Sequence, residues 1–88
     1  MSDYQLMKDV TENTTTRFVV FSVGGHRYEL AFLQTEHFPD QTMVLDLNKN
    51  RFGLLDHETL DKPNYLEHTF QINEIDAEEL RARLHELI

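Results

Sequence analysis

The sequence Arg17-Phe18-Val19-Val20-Phe21-Ser22-Val23-Gly24-Gly25-His26-Arg27-Tyr28-Glu29-Leu30-Ala31-Phe32-Leu33 reads as two strands joined by a tight turn. Its first half is rich in β-branched and aromatic residues, which suit a pleated surface. Both of its faces are largely apolar, as expected of a central strand. Gly24-Gly25 is a two-residue hairpin signal, because a type I′ turn needs positive φ at both positions. The second half alternates: Tyr28, Leu30 and Phe32 fall on one side, Arg27 and Glu29 on the other. A β-sheet is therefore the base of the architecture.

Toward the C-terminus, residues 34–41 contain Pro39 and charged side chains and read as a connecting loop. A second hairpin follows. Met43, Leu45 and Leu47 are expected inward, with Thr42 and Asp46 outward. Asn48-Lys49-Asn50 supplies the turn, since Asn tolerates the left-handed region. Phe52 and Leu54 then share one face, and Gly53 marks a bulge or a close backbone approach. Residues 56–64 read as a loop with room for a short helical turn. Leu66, His68, Phe70 and Ile72 alternate with polar residues and predict a fifth strand.

The chain ends in a helix. Asp76 is placed to cap it, with Glu79 at N3 completing a capping box and Ile75 stapling against Leu80. Ala77, Leu80, Leu84 and Leu87 recur at helical spacing and form its buried stripe. The predicted fold is α+β: a mainly antiparallel sheet of about five strands, two hairpins plus one strand, with the C-terminal helix packed on one face. The predicted core comprises Phe18, Val20, Phe21, Tyr28, Leu30, Phe32, Val44, Leu45, Phe52, Leu54, Phe70, Leu80, Leu84 and Leu87. Residues 1–15 read as a flexible tail and 16–88 as a single domain. Tyr4, Leu6, Met7 and Val10 would fit one docked amphipathic turn, but a frayed tail is the preferred reading.

The chain has 88 residues, enough for one small core. Apolar residues make up 40% of it, too many for a disordered chain. Its 8 Lys and Arg against 16 Asp and Glu leave a net charge of −8, which argues against nucleic acid and anionic lipid as partners. The acidity is concentrated in residues 56–79, whose carboxylates far outnumber the single base Lys62. No apolar run is long enough to span a membrane. Cysteine is absent, so thiol chemistry and disulfides are excluded and a cytoplasmic location is the simplest expectation.

The five histidines are the first candidates for chemistry. Three lie beside carboxylates, in Glu36-His37, Asp56-His57-Glu58 and Glu67-His68. Imidazole with carboxylate is a good ligand set for zinc, nickel or iron. No pair has the spacing of a metalloprotease helix or a zinc finger, so His37, His57 and His68 are candidate ligands only in an alternative reading as a metal- or small-ligand-binding protein. No spacing of carboxylates singles out a catalytic dyad, and Ser22 has no nucleophile-elbow context. Neither catalytic residues nor a cofactor are expected.

The acidic segment could steer a basic partner, though solubility alone would also explain it. Arginine beside aromatic residues (Arg17-Phe18, Arg27-Tyr28, Arg51-Phe52) would place the two types on opposite faces, so no base-stacking platform results. One helix cannot cover both faces of the sheet. The face carrying Phe18 and Val20, or their alternates, would be left apolar, and homodimerisation through it or through an edge would bury it. A non-enzymatic module that binds a protein partner or itself is the leading functional expectation.

Thr16-Arg17-Phe18-Val19, Arg27-Tyr28-Glu29-Leu30, His37-Phe38, Arg51-Phe52-Gly53-Leu54-Leu55, Tyr65-Leu66-Glu67-His68-Thr69-Phe70 and Glu78-Glu79-Leu80 together resemble a family of small cytosolic Firmicutes proteins of Bacillus and Staphylococcus type. That family is classed as a domain of unknown function. The resemblance runs from residue 16 almost to the end. The Asn48-Lys49-Asn50 turn departs from the glycine-bearing turn the family would have there. The resemblance implies a bacterial cytoplasmic protein, and it implies no activity and no functional residue.

Overall fold

The first hairpin forms as its residues dictate. In the computed structural model, which describes residues 3–88, strand β1 spans Thr15–Val23 and β2 spans His26–Gln34. They pair antiparallel from Thr15↔Gln34 to Val23↔His26. Gly24 and Gly25 turn the chain at φ 58° and 78°, values that residues with a Cβ adopt only at a cost. The second hairpin joins β3 (Thr42–Asp46) to β4 (Arg51–Leu55). Asn50 takes the left-handed conformation at φ 56° in its turn. The strands form one antiparallel sheet in the order β1-β2-β3-β4.

Three helices follow: α1 (His57–Leu60), α2 (Tyr65–Phe70) and α3 (Glu74–Leu87). The expected fifth strand is thus a correction, because its residues make α2. Leu66 and Phe70 are both buried and lie four apart, so they share one face of a helical turn as readily as one face of a strand. Asn64 and Gln71, both left-handed, bracket the helix at φ 63° and 55°. The start of α3 is a second correction. Asn73, not Asp76, is the N-cap, and its side-chain oxygen accepts from the Asp76 amide at 2.8 Å. Ile75 therefore sits inside the helix, exposed, and staples nothing. Ile72, the residue before the cap, packs against the core instead.

All three helices lie on one side of the sheet. α3 runs beneath the first hairpin, from the His26–Asp76 pair at the turn end (3.2 Å) to Arg17, whose Nη1 donates to the Leu87 carbonyl at 2.9 Å. α2 lies under β4, where the Tyr65 hydroxyl donates to the Leu54 carbonyl at 2.8 Å. Gly53 makes the expected close approach: a Cβ there would stand 2.5 Å from Thr69 Cγ2. Arg81 stitches the helices together, with Nε donating to the Leu60 carbonyl at 2.6 Å and Nη2 lying 3.4 Å from Glu67.

The core between the layers holds Tyr28, Leu30, Phe32, Val44, Leu55, Leu60, Leu66, Phe70, Ala77, Leu80 and Leu84. Burial pushes the Tyr28 phenol above its ordinary range, aided by Asp76, Asp46 and Glu79. The inward side of the second hairpin is the reverse of that expected. Val44 and Asp46 are buried, while Met43 and Leu45 are only half-buried and Leu47 is exposed. Asp46 is tolerated inside because its Oδ1 accepts from the Asn48 and Lys49 amides at 3.0 and 3.3 Å, holding the turn. Phe18, Val20 and Phe52, expected in the core, are exposed; Leu45 and Leu54 are half-buried outside it. Nor is β1 central. It is an edge strand, apolar on both sides for reasons its outer face explains.

Residues 3–14 form no helix or strand. Met1 and Ser2, the start of the segment read as tail, lie outside the described residues. Among the described residues no helix is long and apolar enough to cross a membrane.

Candidate functional site

Side chains alternate along a strand, so the burial of Tyr28, Leu30, Phe32, Val44 and Leu55 fixes which residues point away from the helices. The pairing register aligns them in rows. Phe18, Ala31, Leu45 and Phe52 form one row across the sheet, and Thr16, Leu33, Met43 and Leu54 form the next. Val20 and Glu29 begin a third. No helix covers this face. Phe18 is 72% exposed, Phe52 65% and Val20 58%. Such a continuous apolar patch marks a contact surface more often than it marks an inert one.

The patch is also nearly free of charge. Its charged side chains are Arg27 and Glu29, which pair with each other. The carboxylates of the acidic segment 56–79 lie instead on α1, α2, the start of α3 and their connections. Charge and apolar surface are thereby separated, one on the helical layer and the other on the outer face of the sheet.

The candidate metal ligands are not brought together. His37 lies in the loop after β2, with Nδ1 2.5 Å from Glu12. His68 is exposed on α2. His57 opens α1, and its Nδ1 is 2.7 Å from Nδ1 of His85 on α3. His57 Nε2 lies 2.9 Å from the main-chain oxygen of Ile88, and His85 Nε2 lies 2.8 Å from Asp61 Oδ1. These contacts tie the end of α3 to α1. Among the described residues no group of three or more His, Cys, Asp or Glu side chains is placed to hold a metal ion. His85 was not singled out in the sequence, since only the fold sets it beside His57.

Asp56 caps α1. Its side chain accepts from the Thr59 amide at 2.7 Å, and the Thr59 hydroxyl lies 2.9 Å from the Asp56 amide, closing a capping box. That backbone hydrogen bond holds the Asp56 carboxyl below its ordinary range. The perturbed carboxyl is thus explained by helix capping.

A sheet backed by helices on one side and bare on the other defines a two-layer α+β domain with an open apolar face. The chain belongs to the SAV0927-like family, whose pattern matches residues 7–86. The match begins inside the irregular N-terminal segment and takes in every strand and helix up to Glu86. No curated protein matches the chain. The family description names no activity, in keeping with the resemblance read from the sequence.

Proposed function

We propose that this chain is a non-enzymatic, self-associating interaction module, with the uncovered face of the sheet as its contact surface and a second copy as its partner. The observation that carries the proposal is the exposure of Phe18, Val20 and Phe52 on one helix-free face.

Two copies would bury six large exposed side chains, at about 1.5–3 kcal/mol each, a sum of roughly 9–18 kcal/mol that is comparable with the ~4–15 kcal/mol cost of joining two bodies. Contact through the sheet keeps the acidic helical layers of the two copies apart, which limits the repulsion between two chains of net charge −8. A Firmicutes-type bacterial cytoplasm as the setting rests on the resemblance in sequence.

Sedimentation equilibrium of the untagged full chain tests the reading. A reversible dimer is expected. The double variant F18S/F52S should sediment as a monomer with an unchanged far-ultraviolet circular dichroism spectrum, since neither side chain belongs to the core. A wild-type chain that stays monomeric into the high-micromolar range would overturn the proposal.

A further inference from the structure

The chain displays a second apolar feature that nothing in its own fold covers. Residues 3–11 run Asp3-Tyr4-Gln5-Leu6-Met7-Lys8-Asp9-Val10-Thr11. Their apolar side chains are solvent-facing: Tyr4 is 79% exposed, Leu6 60%, Met7 83% and Val10 55%. Among the described residues no hydrogen bond ties positions 3–11 to the body; the segment is held at its root. Glu12 Oε1 accepts from the Glu36 amide at 3.0 Å, and Glu12 Oε2 meets His37 Nδ1. Lys8 and Val10 line a shallow cleft with the same two loop residues. The segment therefore leaves the body beside the β2–β3 loop, at the end of the sheet where β1 begins.

The overall dimensions reflect this. A compact chain of this length has a radius of gyration of about 12 Å. This one has 15.3 Å, with extents of 50 × 28 × 23 Å. Returning to its own sheet would require the segment to reverse direction at Glu12. The Glu12 contacts with Glu36 and His37 would resist it.

From these observations we infer that residues 3–11 are an exchange arm. In the self-association proposed above, on which this inference rests, the arm of each copy lies along the uncovered sheet face of the other. Each copy has one bare apolar face and one bare apolar arm, so two identical contacts related by a two-fold axis use up both. Lengths agree. Nine extended residues reach about 30 Å, and nine-residue strands such as β1 span about 30 Å. The family pattern begins at Met7, so it includes Met7 and Val10 of the arm.

The chain has no cysteine, which makes a thiol crosslinking test clean. Two full-length variants are prepared, Leu6→Cys in the arm and Leu45→Cys at the centre of the sheet face. They are mixed under mild oxidation and resolved without reductant. Sedimentation of the wild type runs in parallel. The expected result is a covalent pair of one L6C and one L45C chain, formed faster than either variant pairs with itself. The L6S/M7S variant, whose changes touch only exposed side chains, should raise the dimer dissociation constant by about 100-fold or more.

Three results would overturn the arm. A disulfide confined within one chain of the L6C/L45C double variant would place the arm on its own sheet. Faster pairing of L45C with itself would place sheet directly on sheet. A dimer that persists without any mixed crosslink would leave the sheet-face reading standing and remove the arm from it. A wild type found only as monomer would instead defeat the self-association reading itself.

Discussion

At Gly53 the sheet and the helical layer approach closely. The glycine's missing side chain lets α2 settle on β4, and a methyl group there would meet Thr69 Cγ2 at 2.5 Å. Gly53→Ala should cost about 1–3 kcal/mol, the usual range for overpacking. Thr69→Ser removes the opposing methyl, so it should recover much of that loss, and a double-mutant cycle in urea will measure the coupling. Two further residues make the stability of the fold depend on pH. Asp56 has its carboxyl held low by the Thr59 amide. Its contribution is complete above the unfolded carboxylate pKa of about 3.9 and is lost as pH falls through the lower folded value. Tyr28 has its phenol held high, first by burial. Its contribution is complete below the unfolded value near 10 and is lost as pH rises through the folded one. Alkaline unfolding should therefore be shallower in Tyr28→Phe than in the wild type, as followed by circular dichroism; identical profiles would dissociate Tyr28 from it.

At the level of elements, legibility depended on how many conformations one pattern fits. The first hairpin was readable because strict alternation coincided with Gly24-Gly25, and few alternatives satisfy both. The second hairpin was readable as a hairpin but not by side. Alternation gives the period of a strand, and Met43/Leu45/Leu47 looks more apolar than Thr42/Val44/Asp46. The buried set contains Asp46 because two turn amides satisfy its carboxylate, a compensation invisible before the turn is built. The α2 segment was misread for a related reason: apolar residues at every second position also include a pair four apart, and burial of Leu66 and Phe70 against the sheet selected the helix. At the start of α3 the cap is Asn73, three residues ahead of the expected Asp76. Asn73→Ala should accordingly cost about 1 kcal/mol by chemical denaturation. Asp76→Ala should leave the helix boundary where it is, as amide hydrogen exchange at residues 74–77 can show.

On the scale of the whole molecule, the candidate site was half legible. That a single helical layer would leave one apolar face of the sheet bare followed from the shortage of helices; that Phe18 and Val20 would lie on it did not, because alternation left the side of their strand open and both were expected in the core. That Phe52 would join them did not follow either, because it required the inverted second hairpin. The N-terminal segment was legible only as four apolar residues in a polar stretch, and spacing alone could not separate a frayed tail from a docked amphipathic turn. The histidines gave the opposite lesson, since abundance beside carboxylates did not translate into convergence in space. Separation of charge from apolar surface yields a prediction of sign. Two chains of net charge −8 repel, and salt screens that repulsion. Self-association through the uncharged face should therefore tighten as ionic strength rises; weakening with salt, measured by sedimentation, would point to charge attraction instead. The edge position of β1 has a further consequence. Among the described residues no strand lies beside its outer edge, and Phe18-Val19-Val20-Phe21 is a run that can template cross-β growth. Carboxylates on the helical layer oppose edge-to-edge approach through the repulsion between like-charged molecules. As acid neutralises them, colloidal repulsion disappears while the edge remains. The acidic composition, which the sheet itself does not need, would then oppose edge-to-edge growth at neutral pH and cease to do so in acid.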